Sequence, residues 1–206
     1  MNYTKFSVGL SNVSRETKAR LEIYVALLLK WNQKINLISA SSEEVIWQRH
    51  ITDSIQLISH IPPEAKKIAD LGSGAGLPGI ILAMMMPQEF FLIERDQRKC
   101  AFLAEAVREC GVINVRILNK DVKKIHEKFD VIMARGLTNL DELLGIAYPL
   151  IMEKSISLFP KGKTYAMELE QAKKHWVFSH QEFPSLTDPE ARILSISGLR
   201  TQGKVT

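Results

Sequence analysis

A glycine-rich turn between a strand and a helix constrains this chain more than any other feature of its sequence. The turn lies within Asp70-Leu-Gly-Ser-Gly-Ala-Gly-Leu-Pro-Gly79, between the apolar segments Lys67–Leu71 and Ile80–Met86. The first segment predicts a short buried strand and the second predicts a helix. Such a turn brings backbone N–H groups close to a ligand. In open α/β sheets, nucleotide-like ligands bind at this place, the carboxyl end of the first strand.

Strand and helix patterns alternate after Pro63, which predicts an α/β fold. The predicted strands are Lys67–Leu71, Phe90–Glu94, Val115–Asn119, Asp130–Arg135, Ser155–Pro160, Trp176–Phe183 and Ile193–Gly198. The predicted helices are Pro78–Met86, Arg98–Cys110, Leu140–Met152 and Glu168–Lys174. This alternation predicts a mainly parallel sheet with helices on both faces. Only a proline-containing loop separates the last two strands, so we expect them to form an antiparallel hairpin.

The segment before the sheet is predicted to be helical. Ser14 suits the N-cap of a first helix, and apolar residues recur at helical spacing from Leu21 to Leu29. A second helix is expected from Ser41 until Pro62-Pro63 stops it. We therefore expect residues 1–63 to form a helical extension and residues 64–206 to form one compact ligand-binding domain.

The composition excludes some classes of protein. Of the 206 residues, 46% are hydrophobic, which is enough for a packed core and inconsistent with disorder. No apolar run approaches the roughly 20 residues of a membrane span, and the N-terminus does not resemble a secretion signal. Cys100 and Cys110 are expected on one helix, about 15 Å apart and too far to bridge. We therefore expect a reducing cytoplasm. The net charge of +4 permits a nucleic-acid partner without requiring one.

The spacing of Gly72, Gly74 and Gly76 leaves two ligand classes open. A dinucleotide site has the spacing G-x-G-x-x-G, must place a pyrophosphate on the turn, and favours no acid directly before it. Here the spacing is G-x-G-x-G and Asp70 precedes it. The sulfonium cation of S-adenosylmethionine suits such an acid, which could act directly, through water or through the backbone. Glu94 could accept both ribose hydroxyls. We therefore favour a methyl donor and keep a dinucleotide as the alternative.

Four segments resemble the RsmG (GidB) family of bacterial small-subunit ribosomal RNA methyltransferases. They are Lys30-Trp-Asn-Gln-Lys-Ile-Asn-Leu37, Arg49-His-Ile-Thr-Asp-Ser54, Asp70–Gly79 and Ala134-Arg135. Lys161-Gly162 and Arg192 resemble later positions of the family. The resemblance extends from about Leu21 to Ile196. It implies the class I methyltransferase fold, a Rossmann-like sheet of seven mostly parallel strands.

The resemblance also implies an activity, which is transfer of a methyl group from S-adenosylmethionine to N7 of one guanine in 16S RNA near the decoding site. The implied partner is 16S RNA in the small ribosomal subunit or its precursor. We expect no metal and no membrane, and a monomer. The implied donor pocket comprises Gly72, Gly74, Leu77, Glu94, Val122, Lys123 and Arg135. The RNA-facing and active-site positions are His50, Arg135, Lys161 and Arg192.

Two departures from the family pattern concern these positions. The family commonly has an Arg-Ala-Glu type of segment where this chain has Asp121-Val-Lys123. The change is harmless if backbone atoms hold adenine there, but a glutamate contribution would be absent. The family also often has glycines before its Lys-Gly pair, where this chain has Ser155–Pro160. The match at Lys161 is therefore weaker than the match at Arg135.

Each basic residue also has a simpler interpretation. Arg135 could form an ion pair with Asp130 or Asp141, and Lys161 and Arg192 could be solvated surface charges. His50 could be a packed, hydrogen-bonded residue, and Trp31–Asn36 could join the N-terminal helices to the sheet.

The chemistry of guanine N7 indicates which roles the site residues have to perform. Its lone pair carries no proton, so the reaction needs no general base, and we expect Arg135, Lys161 and Arg192 to position guanine and phosphate. Other functions remain open, namely a methyltransferase for protein or small molecules and a non-catalytic RNA-binding module.

Overall fold

One seven-stranded sheet organises the chain in the computed structural model, which describes residues 13–202. The N-terminus that we expect to lack a secretion signal lies outside these residues. The strands are β1 (Lys67–Leu71), β2 (Glu89–Glu94), β3 (Val115–Asn119), β4 (Phe129–Met133), β5 (Ile151–Lys161), β6 (Trp176–Pro184) and β7 (Arg192–Thr201). Their order is β3-β2-β1-β4-β5-β7-β6, in which β7 alone runs antiparallel to the other six strands. The predicted α/β class and terminal hairpin are confirmed.

Helices cover both faces of the sheet, as predicted. The α-helices are α1 (Arg15–Asn32), α2 (Asp53–Ile55), α3 (Gly79–Ala83), α4 (Gln97–Glu109), α5 (Leu140–Ala147) and α6 (Tyr165–Ala172). Side chains alternate along a strand, so each strand contributes to two cores. Ile68 and Leu92 face one hydrophobic cluster with α1 and α4, whereas Ala69 and Ile93 face another with α5 and α6. The first cluster therefore packs the N-terminal helix directly on the sheet.

Local signals in the N-terminal segment are partly confirmed. Ser14 caps α1, because its Oγ accepts from the backbone N–H of Thr17 at 3.1 Å. Trp31 at the end of α1 donates through Nε1 to Glu105 on α4 at 3.1 Å. Asn32 accepts from the backbone N–H groups of Leu37 and Ile38 and so shapes the chain that follows. These contacts support the structural interpretation of Trp31–Asn36.

The prediction of one continuous helix from Ser41 to Pro62 is wrong. The structure has a 3-10 turn at Ala40–Ser42, a π-helix at Trp47–Thr52, the short α2 and another 3-10 turn at Gln56–His60. Helix propensity differs little between ordinary residues, so tertiary contacts can override it. Here the π-helical segment contacts the loop after β4, and π-helices often occur at functional sites.

Other boundaries differ by a few residues. The helix predicted at Leu140–Met152 ends at Ala147, and β5 begins at Ile151, because Pro149 cannot continue the helical hydrogen bonds and Ile151 pairs with Phe129. The helix predicted at Pro78–Met86 contains only Gly79–Ala83. The strand predicted to reach Arg135 ends at Met133, so Arg135 lies in the loop beyond β4.

Two further observations concern the environment of the chain. In the part of the chain that the structure describes, no helix has the length and apolar character needed to cross a membrane. Cys100 and Cys110 are buried free thiols, and α4 places them at opposite ends as predicted.

Candidate active site

The candidate residues meet at one edge of the sheet. Strands β1 to β5 are parallel, so their carboxyl ends lie together, and β7 returns antiparallel to β5. The register pairs Lys161, the last residue of β5, with Arg192, the first residue of β7. Ligands of open α/β sheets bind at this edge, outside the carboxyl ends of the strands.

The glycine turn is anchored against β2 and leaves no room for side chains at Gly72. Gly72, Gly74 and Gly76 have φ of 65°, 54° and 75°, in the left-handed region that favours glycine. The backbone N–H groups of Gly72 and Ser73 both donate to the carbonyl of Ile93. A Cβ at Gly72 would come within 2.6 Å of Leu137 Cδ1, so the loop after β4 packs directly on the turn.

Glu94 lies at the end of β2 and braces the turn through both carboxylate oxygens. Its Oε2 accepts from the backbone N–H of Gly74 at 2.9 Å, and its Oε1 accepts from that of Asp96 at 2.8 Å. An ionised carboxylate has about four lone-pair sites. One site therefore remains on each oxygen, which fits the two hydroxyls of a ribose.

Asp70 is the buried acid that precedes the turn. Its Oδ2 accepts from the backbone N–H of Gly79 at 3.0 Å, whereas its Oδ1 is buried with no hydrogen-bond partner among residues 13–202. Burial raises the pKa of Asp70 to about 7, although the Gly79 hydrogen bond and the charge of Arg135 act in the opposite direction. The contact of Oδ2 ties Asp70 to the backbone at the start of α3.

The remaining predicted donor residues lie on separate elements. Leu77 is buried in the core. Val122 and Lys123 lie on a 3-10 turn after β3, where the Asp121 side chain accepts from the backbone N–H of Lys123 at 2.9 Å. Lys123 is exposed. The Asp121 side chain therefore holds the backbone of this turn in place.

A separate cleft of about 800 Å³ brings together the residues expected to face RNA. Its walls come from the π-helical segment, the loop after β4, the end of β5 and the loop before β7. The candidate residues that line it are His50, Arg135, Lys161 and Arg192. The glycine turn does not line this cleft. The loop after β4 separates the two regions, because Arg135 and Gly136 line the cleft while Leu137 packs on Gly72.

Arg135 forms a network with the segment that resembles the family motif. Its Nη1 donates to Asp53 Oδ2 at 3.1 Å and to the Arg49 carbonyl at 3.2 Å, and its Nη2 lies 3.0 Å from His50 Nδ1. The guanidinium has five N–H donors. The described residues use three of them, so two remain for a ligand in the cleft.

The partners suggested for Arg135 from the sequence, Asp130 and Asp141, are wrong. Asp130 accepts from the backbone N–H groups of Lys66 and Lys67, and Asp141 accepts from Trp176 Nε1. Asp130 lies near the amino end of β4, whereas Arg135 lies beyond its carboxyl end. The length of the strand therefore separates the two charges.

His50 is both packed and part of the cleft wall. Burial lowers the pKa of His50 to about 4, and the charges of Arg135 and Arg49 act in the same direction. Its Nε2 is buried and has no hydrogen-bond partner among the described residues. The simpler interpretation, a packed and hydrogen-bonded histidine, is confirmed, because His50 is buried and its Nδ1 is hydrogen-bonded to Arg135.

Lys161 is not the solvated surface charge that the sequence left open. Its side chain is 9% exposed, and Nζ donates to the Thr138 carbonyl at 2.7 Å and lies 2.9 Å from Glu168 Oε2. Burial by itself would raise the pKa of Glu168, but hydrogen bonds from Lys161 and Thr164 outweigh it and lower that pKa. Lys161 therefore joins β5 to the loop after β4 and to α6.

Arg192 differs in its contacts from Arg135 and Lys161. Its Nη1 donates to the carbonyls of Pro189 and Ala191, and its guanidinium lies 5.4 Å from the centroid of the Tyr165 ring. Within residues 13–202, Arg192 forms no ion pair with a carboxylate, unlike Arg135 and Lys161. Of the three candidate cations, Arg192 is therefore the one whose charge no carboxylate offsets among the described residues.

Sequence reasoning missed Asp53, Gln56, Thr187 and Glu168 as parts of this site. Asp53 lies three residues after His50, and helical spacing within the Arg49–Ser54 segment could have placed both on one face. Glu168 and Thr187 carry no such local signal, because they meet the site only through the fold.

A sheet of this order, with a glycine turn after its first strand and an acid ending its second, defines the class I S-adenosylmethionine-dependent methyltransferases. A solved structure that shares the fold is a variant of MtNAS in complex with S-adenosylmethionine. It is 12% identical, with a TM-score of 0.58 over 96% of this chain and 84% of that chain. The positive-φ glycines and the two remaining acceptor sites of Glu94 fit this cofactor.

The chain belongs to the family described as rRNA small subunit methyltransferase G, whose model matches residues 17–194. The ribosomal RNA small subunit methyltransferase G of Gluconobacter oxydans is 46% identical over 93% of this chain and 98% of its own length. The protein of the same name from Ruegeria sp. is 44% identical over 91% of this chain and 94% of its own length. The chain is therefore a methyltransferase with S-adenosylmethionine as its cofactor, and the dinucleotide alternative is set aside.

Proposed function

We propose that this enzyme methylates N7 of a specific guanine in 16S ribosomal RNA near the decoding site. The observation that carries the proposal is the basic cleft beside the glycine turn, where Arg135, Lys161 and Arg192 converge from three separate elements. The related proteins are named as methyltransferases of the small-subunit ribosomal RNA, which supports the same substrate.

The chemistry needs positioning more than acid–base catalysis. S-adenosylmethionine, when bound, supplies an electrophilic methyl group on a sulfonium. Guanine N7 has an in-plane lone pair and no proton, so no side chain has to remove one. The residues of the cleft hold the purine edge towards the donor and exclude water. The pKa of His50, lowered to about 4 by burial, makes its imidazole a weak base, and Nδ1 is already occupied by Arg135, which is consistent with a site that needs no general base.

On the acceptor side, we assign guanine to Arg135 and phosphate to Arg192. The two unused N–H groups of Arg135 suit the O6 of guanine, while bidentate use of O6 and N7 is excluded because N7 reacts. Arg192 has no carboxylate partner in residues 13–202 and suits an RNA phosphate. Lys161 keeps one of its three N–H donors for phosphate or O6, and its other contacts hold the loop after β4.

On the donor side, we assign backbone contacts to Gly72, Gly74 and Leu77. Glu94 accepts the ribose hydroxyls through its two remaining lone-pair sites. Backbone groups of Val122 and Lys123 enclose the adenine, as the resemblance implies. Arg135 belongs to the donor side only through its loop, whose Leu137 packs on Gly72, while its guanidinium faces the cleft.

We further propose that the substrate is 16S RNA within the small ribosomal subunit or its precursor, and that the enzyme acts as a monomer in the cytoplasm. The two buried free thiols support a reducing compartment. Residues 1–63 are proposed as a helical extension of the methyltransferase domain at residues 64–206.

The proposal is tested with small-subunit RNA from cells that lack this enzyme. The RNA is incubated with the protein and labelled donor, and 7-methylguanine is mapped by chemical cleavage. We expect one cleavage position in 16S RNA near the decoding site. Label only in protein or small molecules would contradict the proposal, and RNA binding without donor affinity would indicate a binding module.

Arg135→Lys is a sharper variant than Arg135→Ala for assigning the role of Arg135. Alanine would leave the Asp53 carboxylate without its charge partner, and an unpaired charge destabilises a partly buried site. Lysine keeps the charge but loses the fork that contacts Asp53 and His50 together. We expect a fall in kcat of about 100-fold, as small misplacements commonly cause. Arg200→Lys, at an exposed position of β7, is the matched control. Wild-type activity in Arg135→Lys would remove Arg135 from the mechanism.

A further inference from the structure

We propose that Asp53 is a positioning residue for methyl transfer, because it holds two walls of the cleft through its two carboxylate oxygens. One wall carries Arg135 and the other is the loop that leads into Arg192. This inference rests on the proposed function, since it uses the roles assigned there to the two arginines.

The first oxygen of Asp53 fixes the guanidinium of Arg135. The distance from Oδ2 to Nη1 is 3.1 Å, and the side chains of Asp53 and Arg135 are 16% and 19% exposed. Exposed ion pairs contribute little, whereas a mostly buried carboxylate left without its partner is costly. The Arg49 carbonyl and His50 Nδ1 contact the same guanidinium from the same helical segment. Arg135 is thus held in one orientation.

The second oxygen of Asp53 fixes the loop between β6 and β7. Its Oδ1 accepts from Thr187 Oγ1 at 2.8 Å and from Gln56 Nε2 at 2.7 Å. Gln56 is buried, and its Oε1 accepts from the backbone N–H of Leu186 at 2.8 Å. A carboxylate and an amide three residues apart therefore fasten a loop that lies more than a hundred residues away in the chain.

This arrangement sets the relative position of the two cations that we assign to the substrate. Arg135 is held directly by Asp53. Arg192 donates to the carbonyls of Pro189 and Ala191, so its position follows the loop that Asp53 and Gln56 fasten. Asp53 acts through these residues and has no assigned contact with guanine or with the donor. Its removal should therefore change the geometry of RNA recognition while leaving donor binding intact.

Two variants separate the contacts of the two carboxylate oxygens of Asp53. In Asp53→Asn, the amide oxygen can still accept from Thr187 and Gln56, while the amide NH2 faces Arg135 and cannot accept from it. We expect kcat to fall by about 100-fold, with unchanged affinity for S-adenosylmethionine. In Thr187→Val, the Arg135 contact persists and the loop loses one anchor. We expect an increased KM for RNA with little change in kcat.

A matched control and a double variant make the test decisive. Glu190→Gln removes a carboxylate charge from an exposed residue of the same loop that does not line the cleft. We expect this control to keep wild-type kinetics. Because Asp53 acts on kcat through Arg135, adding Asp53→Asn to Arg135→Lys should cause no further loss of kcat.

The outcomes distinguish this inference from the proposed function. If the wild-type enzyme leaves N7 of 16S RNA unmethylated, the proposed function fails. If it methylates N7 and Asp53→Asn keeps its kcat, or the double variant shows additive losses, the positioning role is refuted. Thermal unfolding with S-adenosylmethionine identifies variants that fail to fold. If Asp53→Asn is one of these variants, the test rests on Thr187→Val. An unchanged KM for RNA in Thr187→Val would then overturn the inference.

Discussion

Arg135 donates a hydrogen bond from Nη2 to Nδ1 of His50, with 3.0 Å between the two nitrogens. Arginine has no acceptor, so Nδ1 must accept, and a neutral imidazole then carries its proton on Nε2. Burial and the charges of Arg135 and Arg49 lower the pKa of His50 to about 4, which keeps the ring neutral at pH 7. An arginine in the loop after β4 therefore selects the tautomer of a histidine in the π-helical segment.

We predict that His50 stays neutral, as the Nε2–H tautomer, from pH 8 down to about pH 5. Its folded pKa of about 4 lies below the ordinary value of 6.5. The resulting stability is present above pH 6.5 and is lost as the pH falls towards 4. Nitrogen-15 chemical shifts of the histidine rings measure both properties, with His50→Gln used to assign the signal. A ring that titrates near 6.5, or a proton on Nδ1, would disprove this assignment.

We predict that Glu94→Gln weakens binding of S-adenosylmethionine by about 10- to 100-fold. Hydrogen bonds to charged groups contribute about 1.5–3 kcal/mol, and the amide can accept through only one of its two heavy atoms. The Gly74 or Asp96 backbone N–H also loses its acceptor. Isothermal titration calorimetry with the donor measures the effect. Glu109→Gln, at the exposed end of α4, is the control and should bind like the wild type. Equal affinity of the two variants would exclude Glu94 from the donor site.

We predict that Asp70→Asn removes a pH dependence from the free energy of unfolding. The pKa of Asp70 is raised from 3.8 to about 7 in the folded protein, mainly by burial. The contribution of Asp70 to the free energy of unfolding is therefore fully present below pH 3.8 and is lost as the pH rises through 7. The loss is about 4 kcal/mol at most. Urea unfolding between pH 4 and 8 should show a shallower decline with pH in the variant than in the wild type. Parallel curves for the two proteins would contradict this prediction.

We predict opposite effects from alanine at two helical glycines. At Gly79, a Cβ would overlap Leu92 Cδ2 and lie 2.7 Å from Asp70 Oδ2 in a fully buried site. Overpacking of this kind costs about 1–3 kcal/mol. At Gly145 in α5, the nearest atom is Trp176 Cζ2 at 3.5 Å, an ordinary contact. Gly145→Ala should therefore stabilise the protein by about 0.5–1 kcal/mol. Denaturant unfolding measures both, and a stabilising Gly79→Ala would show that the turn can shift.

The parts of the fold that sequence reasoning predicted are those with local physical causes. Alternating strands and helices, the capping Ser14 and the glycine turn each follow from short-range patterns, and the structure confirms them. The helix predicted from Ser41 to Pro62 failed for the opposite reason. Its irregular π and 3-10 turns accompany contacts with Arg135 and with the loop before β7, which lie far away in the sequence.

The residues of the candidate site also fall into those that the sequence could place and those that it could not. The glycines and Glu94 could be placed from the sequence, because they follow strands that are adjacent in the βαβ order. The partner of Arg135 could not be predicted. Asp130 and Asp141 are nearer in sequence, but their carboxylates accept from other donors. The burial of Lys161 could not be predicted either, because its ammonium contacts the Thr138 carbonyl and Glu168, which only the fold brings near.

The sequence by itself determined the class of sheet, the place of the cofactor turn and, through its motifs, the family of methyltransferases. These properties depend on side-chain periodicity, on glycine at positive φ and on residues at strand ends, all of which act over a few neighbours. Only the tertiary structure decided that Asp53 joins Arg135 to Thr187 and so spans the cleft. Such a contact depends on how β4, the π-helical segment and the loop before β7 pack together, and no local pattern encodes it.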